Sequence, residues 1–396
     1  MKTSQTTHKK IAIVVKYFYP VAAGIESSLL ETKSLLAKKG WDITVHTTNN
    51  TYEKNGILPE RETYRGIKIH RYSTMSFIFL HSFDSDIDIL SLHNFNILPH
   101  VAILMRNYIN KLRGKKKYFV LLTPHGGVTP DWKFFNPLQA FIKKITHRTI
   151  GISLINASTD YVRAVSEWEK NELIKIGVKK DKIITITNGL ENEATLNISK
   201  LGSDEIKKKV TSFGKYAIQV GRVSRIKNIE TAILAISKMK NKINLVVVGP
   251  VQDQKYMSYL EELVSSLKLE DRVFFIGPLY GVDKLYVMLN AQCMIHMSHL
   301  ESFCTAVLEG MSQKLVCVVS KNGGALPFLI KNNINGYTVN DNDYSKVAKK
   351  VDFIIDNKKT KIITDIENTN RIYALSKSWN RIADQMSDFY LTKLNT

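Results

Sequence analysis

Long apolar runs are missing from this 396-residue chain. No stretch approaches the roughly 18 consecutive apolar residues that span a bilayer. The N-terminal run IAIVV stops at Lys16, too soon for the core of a signal peptide. Cysteine is scarce as well. Cys293, Cys304 and Cys317 are the three present, at spacings that suit neither a disulfide framework nor a zinc site. These gaps predict a protein of the reducing cytoplasm with no structural metal. No G-x-G-x-x-G follows the first strand-like run and no G-x-x-x-x-G-K-[ST] occurs, which argues against a dinucleotide oxidoreductase and a P-loop ATPase. Serines and histidines form no hydrolase signature, and there is no fixed-period repeat or low-complexity tract.

Acid is in short supply relative to base. Lys and Arg number 56 against 36 Asp and Glu, a net charge of +20. Residues 1–195 hold 28 cations and 17 acids, or +11, which leaves +9 for the remainder. Both halves therefore favour anionic partners such as nucleotides, nucleic acid or an acidic membrane face; a lysine-rich coding bias gives the same number. Nucleic acid is not expected, because aromatic residues are not interleaved with the basic runs as stacking platforms require.

What is present is a strand and helix alternation. IAIVV, WDITVHTT, DILSLH, YFVLLT, YVRAVS and KIITIT are strand-like, several of them continuous apolar runs. Between them lie helical patterns such as GIESSLLETKSLLAKKG, with Ile25, Leu29, Thr32 and Leu36 on one face and Gly40 at the cap position. DSDID at 84–88 reads as a turn and strand cap. Residues 188–205 are polar and aperiodic. The rhythm then restarts with YAIQVG, INLVVVG, RVFFIG, CMIHMS and LVCVVS, with helices over 228–240, 254–268 and 283–290 and from about 303. SKSWNRIADQMSDFYLTKL forms a last amphipathic helix carrying Trp379, Ile382, Met386 and Tyr390. The fold class is α/β, two doubly wound parallel-sheet domains over 1–195 and 196–375. Ligands of such sheets bind beyond the carboxyl ends of the strands.

Four loops stand at those ends. In AIQVGRVSRIKN, Arg222, Arg225 and Lys227 precede a helix N-terminus, which suits a diphosphate or a solvated charged loop. In HLESFCTAVLEGM, a helix start near Phe303 offers the amides of Ser302, Phe303, Cys304 and Thr305 to an anion. Glu301 and Glu309 are then about 12 Å apart along that helix. They suit the two ends of an extended ligand, or alternatively an acidic helix start and a buried acid paired with a cation. TPHGG places His125 beside Gly126 and Gly127, where backbone can approach a ligand closely. YFYPVAAGIE leads Ala22, Ala23 and Gly24 into the first helix.

GRVSRIKN, LVVVGP, FFIGPL, HLESFCTAVLEGM, VVSKNGGALPFLI and NGYTV, in that order, resemble the retaining GT-B nucleotide-sugar glycosyltransferases of family four. YFYPVAAGIE, TPHGG, AVSEWEKNEL and ITNGLE extend the likeness over nearly the whole chain. The resemblance implies two Rossmann-like domains facing a cleft, with a helix over 376–396 returning to the first. It implies transfer of a hexose-type sugar from a nucleoside-diphosphate sugar to a glycan or lipid-linked acceptor, as in cell-surface polysaccharide or glycolipid synthesis. No cofactor or metal is implied beyond the nucleotide sugar as co-substrate. By the same resemblance Arg222 and Lys227 hold the diphosphate, with the amides of Phe303, Cys304 and Thr305. Glu301 and His125 stand at the reacting sugar, Glu309 at the ribose, and Gly24 and Gly126 in loops near the transferred group or acceptor. The sequence departs from the family pattern at Ala23, Ser302 and Cys304, where Gly is common, and at Phe328, where an acid is typical.

The basic, partly apolar segments 106–119 and 140–148 fit solvated helix faces or an anionic membrane surface, the latter making the protein peripheral on the cytoplasmic face. A GT-B epimerase or phosphorylase shares the architecture, and a non-catalytic nucleic-acid-binding protein would share the charge.

Overall fold

The uninterrupted apolar runs form the inner strands of two sheets in the computed structural model, which describes residues 9–21, 24–50, 58–80, 86–95, 98–115, 118–130 and 132–395. Residues 1–188 and 379–396 make one unit and residues 189–378 the other. The expected small-residue turn at Ala22 and Ala23 lies outside the described residues, as do Asp84 and Lys116–Lys117 of the acidic and basic segments.

The first unit holds β1 (Lys10–Val14), β2 (Asp42–Thr48), β3 (Arg61–Tyr64), β4 (Ile67–Tyr72), β5 (Ile89–His93), β6 (Phe119–Thr123), β7 (Tyr161–Ala164) and β8 (Ile183–Thr185), in the order β3-β4-β2-β1-β5-β6-β7-β8. All neighbours are parallel except β3 and β4. Parallel pairing requires a crossover between successive strands, and the helices Gly24–Lys38 and His100–Leu112 are two of these. β1 is central, with Ile11 opposite both Ile43 and Ile89. Asp88 caps its start by accepting the Lys10 N–H at 2.7 Å.

The β3–β4 hairpin interrupts the expected alternation. RETY, the edge strand, is polar with no buried residue, and IKIHRY beside it buries every second residue, so neither reads as a buried run. Arg65 and Gly66 join them with φ of 50° and 81°, the positive-φ pair that a two-residue hairpin turn needs.

The second unit holds β9 (Tyr216–Val220), β10 (Asn244–Val248), β11 (Val273–Phe275), β12 (Cys293–His296), β13 (Cys317–Ser320) and β14 (Gly336–Val339), ordered β11-β10-β9-β12-β13-β14 and parallel throughout. The division between units falls at 188/189 and 378/379, a few residues from 195 and 375. The polar stretch 188–205 is packed rather than free. Ala194 and Ile198 are buried, and Ser203 donates its N–H and hydroxyl to Asp283 at 2.8 and 2.9 Å.

The last helix, Trp379–Leu394, joins the core of the first unit. Trp379, Ile382, Met386 and Tyr390 are all buried there with Ile11, Leu36 and Ile43. Trp41 Nε1 donates to Ser387 at 3.1 Å. None of the helices among the described residues is long and apolar enough to cross a membrane. Trp379→Ala removes the largest side chain fully buried in this core and should cost about 3–5 kcal/mol. The measurement is the urea midpoint of the first unit, and an unchanged midpoint would contradict the packing.

Candidate active site

In the second sheet the strand order reverses between β9 and β12, which pair Ala217 with Cys293 and Ile218 with Met294. This is the switch point at which doubly wound sheets leave a crevice. The loops that follow, 221–228 and 297–304, are tied together. Ser298 Oγ and the His299 N–H donate to the Ile226 carbonyl at 3.0 and 2.9 Å.

A third loop fixes Glu301. Its N–H donates to Gly323 O at 3.3 Å, and its carbonyl accepts from Ala325 at 2.8 Å. A Cβ on Gly324, where φ is 64°, would lie 2.4 Å from the Glu301 carbonyl oxygen. Only glycine therefore permits this approach, which accounts for the glycines of NGGALP.

The Glu301 side chain accepts from Lys227 Nζ at 2.5 Å and His296 Nε2 at 2.8 Å. Burial alone would raise its carboxyl. The Lys227 charge and the His296 hydrogen bond outweigh that and hold it well below the usual carboxylate range. An ionised carboxylate only accepts, so His296 carries its proton on Nε2. Arg222, half-buried in the β9 loop, has no carboxylate partner among the described residues. Arg225 is exposed, lying over the Tyr256 ring and 3.8 Å from Asp253.

The helix after Glu301 begins at Thr305, not near Phe303. Cys304 sits at φ 74°, a left-handed conformation that breaks the helix and that glycine adopts freely. Glu301 is thus on a loop, and the spacing along one helix does not apply to it. The helix start has no side-chain cap, so its first-turn N–H groups are open to an anion. Phe303 and Cys304 bury their side chains and offer only backbone; Thr305 is half-buried.

Glu309 is buried and receives Lys284 Nζ at 2.9 Å, while Lys284 also lies 3.4 Å from Glu191. Burial and the Glu309 charge push the Glu191 carboxyl up to about 7. The same two acids hold the Lys284 ammonium more firmly protonated than an ordinary lysine, against the effect of burial.

The remaining candidates belong to the first unit. His125, at φ 51°, contacts His93 Nδ1 through Nε2 at 3.1 Å, and His93 Nε2 meets Ser91 at 2.9 Å. Burial, with the charges of Arg163 and Lys33, lowers His125 to about 3, so its imidazole is neutral. The Gly126 N–H donates to Glu169 at 2.5 Å, and Glu169 also accepts from Val165 at 2.8 Å. Gly24 is exposed at the first turn of its helix, and a Cβ there would meet nothing within 4 Å.

Two family models match the chain, Glycosyltransferase Family 4 over residues 22–193 and Glycosyl transferases group 1 over residues 203–371. The chain belongs to the GT-B glycosyltransferases of family four. Among its relatives is the N-acetyl-alpha-D-glucosaminyl L-malate synthase of Bacillus anthracis, 24% identical over 83% of this chain and 84% of that protein. Another is one of the subunits of the human phosphatidylinositol N-acetylglucosaminyltransferase, 21% identical over 98% and 77% respectively. Of solved structures, Anabaena HepE in complex with UDP-glucose aligns with a TM-score of 0.75 at 17% identity, over 97% of this chain and 100% of that one. The sucrose-phosphate synthase of Thermosynechococcus elongatus aligns at 0.76 and 18%, over 98% and 100%. At these identities the structures establish the fold.

In this glycosyltransferase the residues not singled out by sequence are His296, Lys284, Glu191, His93 and Glu169. His296 is hidden inside a strand run, and the others come from distant segments whose pairing depends on the tertiary fold. His296, Glu301 and Cys304 offer three ligand atoms within 4.8 Å of one another. Lys227 already occupies the shared Glu301 oxygen, and burial followed by the Glu301 charge pushes the Cys304 thiol up. The trio is hydrogen-bonded through His296 Nε2, and a divalent ion there would have to displace the Lys227 ammonium.

The Glu301 carboxyl titrates lower folded than unfolded, so its stabilisation is complete above the unfolded value and is lost as pH falls through the folded one. Glu301→Gln should lose about 3 kcal/mol at neutral pH, since breaking a buried pair strands the other charge. The gap from wild type should narrow only below about pH 4. Urea midpoints across pH measure both, and a gap that closes above pH 5 would contradict the assignment.

Proposed function

We propose that the chain is a retaining hexosyltransferase that moves a hexose-type sugar from a nucleoside-diphosphate sugar to a glycan or lipid-linked acceptor. The observation that carries this reading is the switch-point cluster, Lys227 on Glu301 with Arg222 on the same loop and without a carboxylate partner among the described residues. A diphosphate supplies what that loop lacks, negative charge in front of two cations and an uncapped helix start. Donor binding would draw Lys227 toward phosphate oxygens and leave Glu301 facing the sugar. Glu309, held by Lys284, would accept from the ribose hydroxyls, and His125, as a neutral imidazole, is suited to hydrogen bonding.

When the glycosidic bond breaks, its electron pair goes to a β-phosphate oxygen. The acceptor hydroxyl forms the new bond on the same face, and its proton passes to that departing oxygen. Charge grows on the diphosphate, where Arg222, Lys227 and the backbone N–H groups stabilise it. In this reading they do so without a metal. One relative is named for malate and another for phosphatidylinositol; the second supports a lipid-linked acceptor, and the reading keeps a glycan as the other, with a role in surface polysaccharide or glycolipid synthesis at the cytoplasmic membrane face.

A thermal-shift screen of UDP-, GDP-, ADP- and dTDP-sugars selects the donor. With it, Glu301→Ala should lower kcat about 10²–10³-fold, as loss of one preorganised contact does. Glu309→Gln, which keeps the side chain's shape, should mainly raise KM. Proton NMR of the product should show the donor's anomeric configuration. Inversion, or wild-type kinetics in both variants, would overturn the reading.

A further inference from the structure

The helix Pro137–Thr146 differs from its neighbours in having no buried residue at all. The helix His100–Leu112, which carries the other basic segment, has an ordinary inward face of His100, Ile103, Leu104 and Asn107. Leu138, Phe141, Ile142 and Ile145 fall at i, i+3, i+4 and i+7, one stripe of an α-helix. All four are exposed, Leu138 at 67% and Phe141 at 63%. Residues 132–159 contain Lys133, Lys143, Lys144 and Arg148 and not one Asp or Glu. An apolar stripe of this kind left in water is unfavourable, and the acid-free basic segment that carries it favours an anionic cover.

We infer that this helix docks the protein on an anionic lipid surface, with Leu138, Phe141, Ile142 and Ile145 entering the headgroup boundary. Lys143, Lys144 and Arg148 then meet the phosphates. An interfacial helix requires both features, apolar area on one face and cations beside it. The lysine stems let the ammonium groups reach the polar layer while their methylenes stay low. The partner is chosen by charge: a neutral bilayer would use only the stripe, and an acidic protein only the cations. The inference deepens the lipid-linked form of the reaction proposed above and rests on it for its purpose, although vesicle binding can be measured without turnover.

The test is co-sedimentation of the full chain with phosphatidylcholine vesicles and with vesicles that also contain phosphatidylglycerol. Wild-type protein should pellet with the anionic vesicles, far less with neutral ones, and less as salt rises. Phe141→Ser with Ile142→Ser, and separately Lys143→Glu with Lys144→Glu, should each weaken partition about ten-fold. The side chains replaced are exposed or half-buried, so thermal unfolding and nucleotide-sugar binding should match wild type in both variants. Wild-type protein that stays in the supernatant with anionic vesicles would overturn the inference, as would undiminished pelleting of the serine variant. A wild-type dimer that the serine variant turns into a monomer would assign the stripe to a second copy of the chain instead. Absence of nucleotide-sugar binding in wild type would sink the proposed transfer reaction and leave the vesicle result to be read by itself.

Discussion

A largely buried ammonium and a largely buried carboxylate, Lys227 and Glu301, meet where the strand order of the second sheet reverses. Either charge alone would cost several kcal/mol to bury, so the three loops around them are held to a narrow geometry. The Ile226 carbonyl ties the two switch-point loops, and the glycines at 323 and 324 bring the third against the Glu301 backbone. The second charged cluster has two acids for one cation, but Glu191, pushed up to about 7, is largely protonated below neutrality. Glu309 and Lys284 then balance as the first pair does. Among the described residues Arg222 alone of the loop's cations Arg222, Arg225 and Lys227 has no carboxylate within ion-pair distance.

The first unit solves a different electrostatic problem. Burial lowers Lys33 to about 7 and Arg163 to about 10. Arg163 spends its donors on the carbonyls of Ile186 and Thr187, and Lys33 reaches the Tyr390 hydroxyl at 3.5 Å. Burial above all, helped by the charge on Arg163 and Lys33, keeps His93 and His125 neutral. Because Tyr390 belongs to the last helix, the end of the chain completes the polar interior behind the His125 loop. Glu169 holds that loop from the other side through the Gly126 N–H.

Much of this architecture was legible in the sequence, because a parallel sheet buries both faces and writes its strands as continuous apolar runs. The four core residues of the last helix were readable from spacing alone. The β3–β4 hairpin was not, since neither of its strands reads as a buried run and its turn depends on two positive φ values. The acids of HLESFCTAVLEGM drew attention by position, yet the helix start was misplaced by two residues. Nothing in the letter C announces a left-handed backbone, although its standing where the family commonly has glycine was the available signal. Lys284 and Glu191 lie 25 and 118 positions from Glu309 in sequence, so only the fold could name them as its partners.

The proposed transfer requires the 221–228 loop to receive a diphosphate. The most direct measurement is calorimetric titration of the preferred nucleoside diphosphate into wild type and Arg222→Ala. A charge-assisted hydrogen bond contributes about 1.5–3 kcal/mol, so the variant should bind roughly 10- to 100-fold more weakly with its fold intact. Equal affinity in the two proteins would contradict the account.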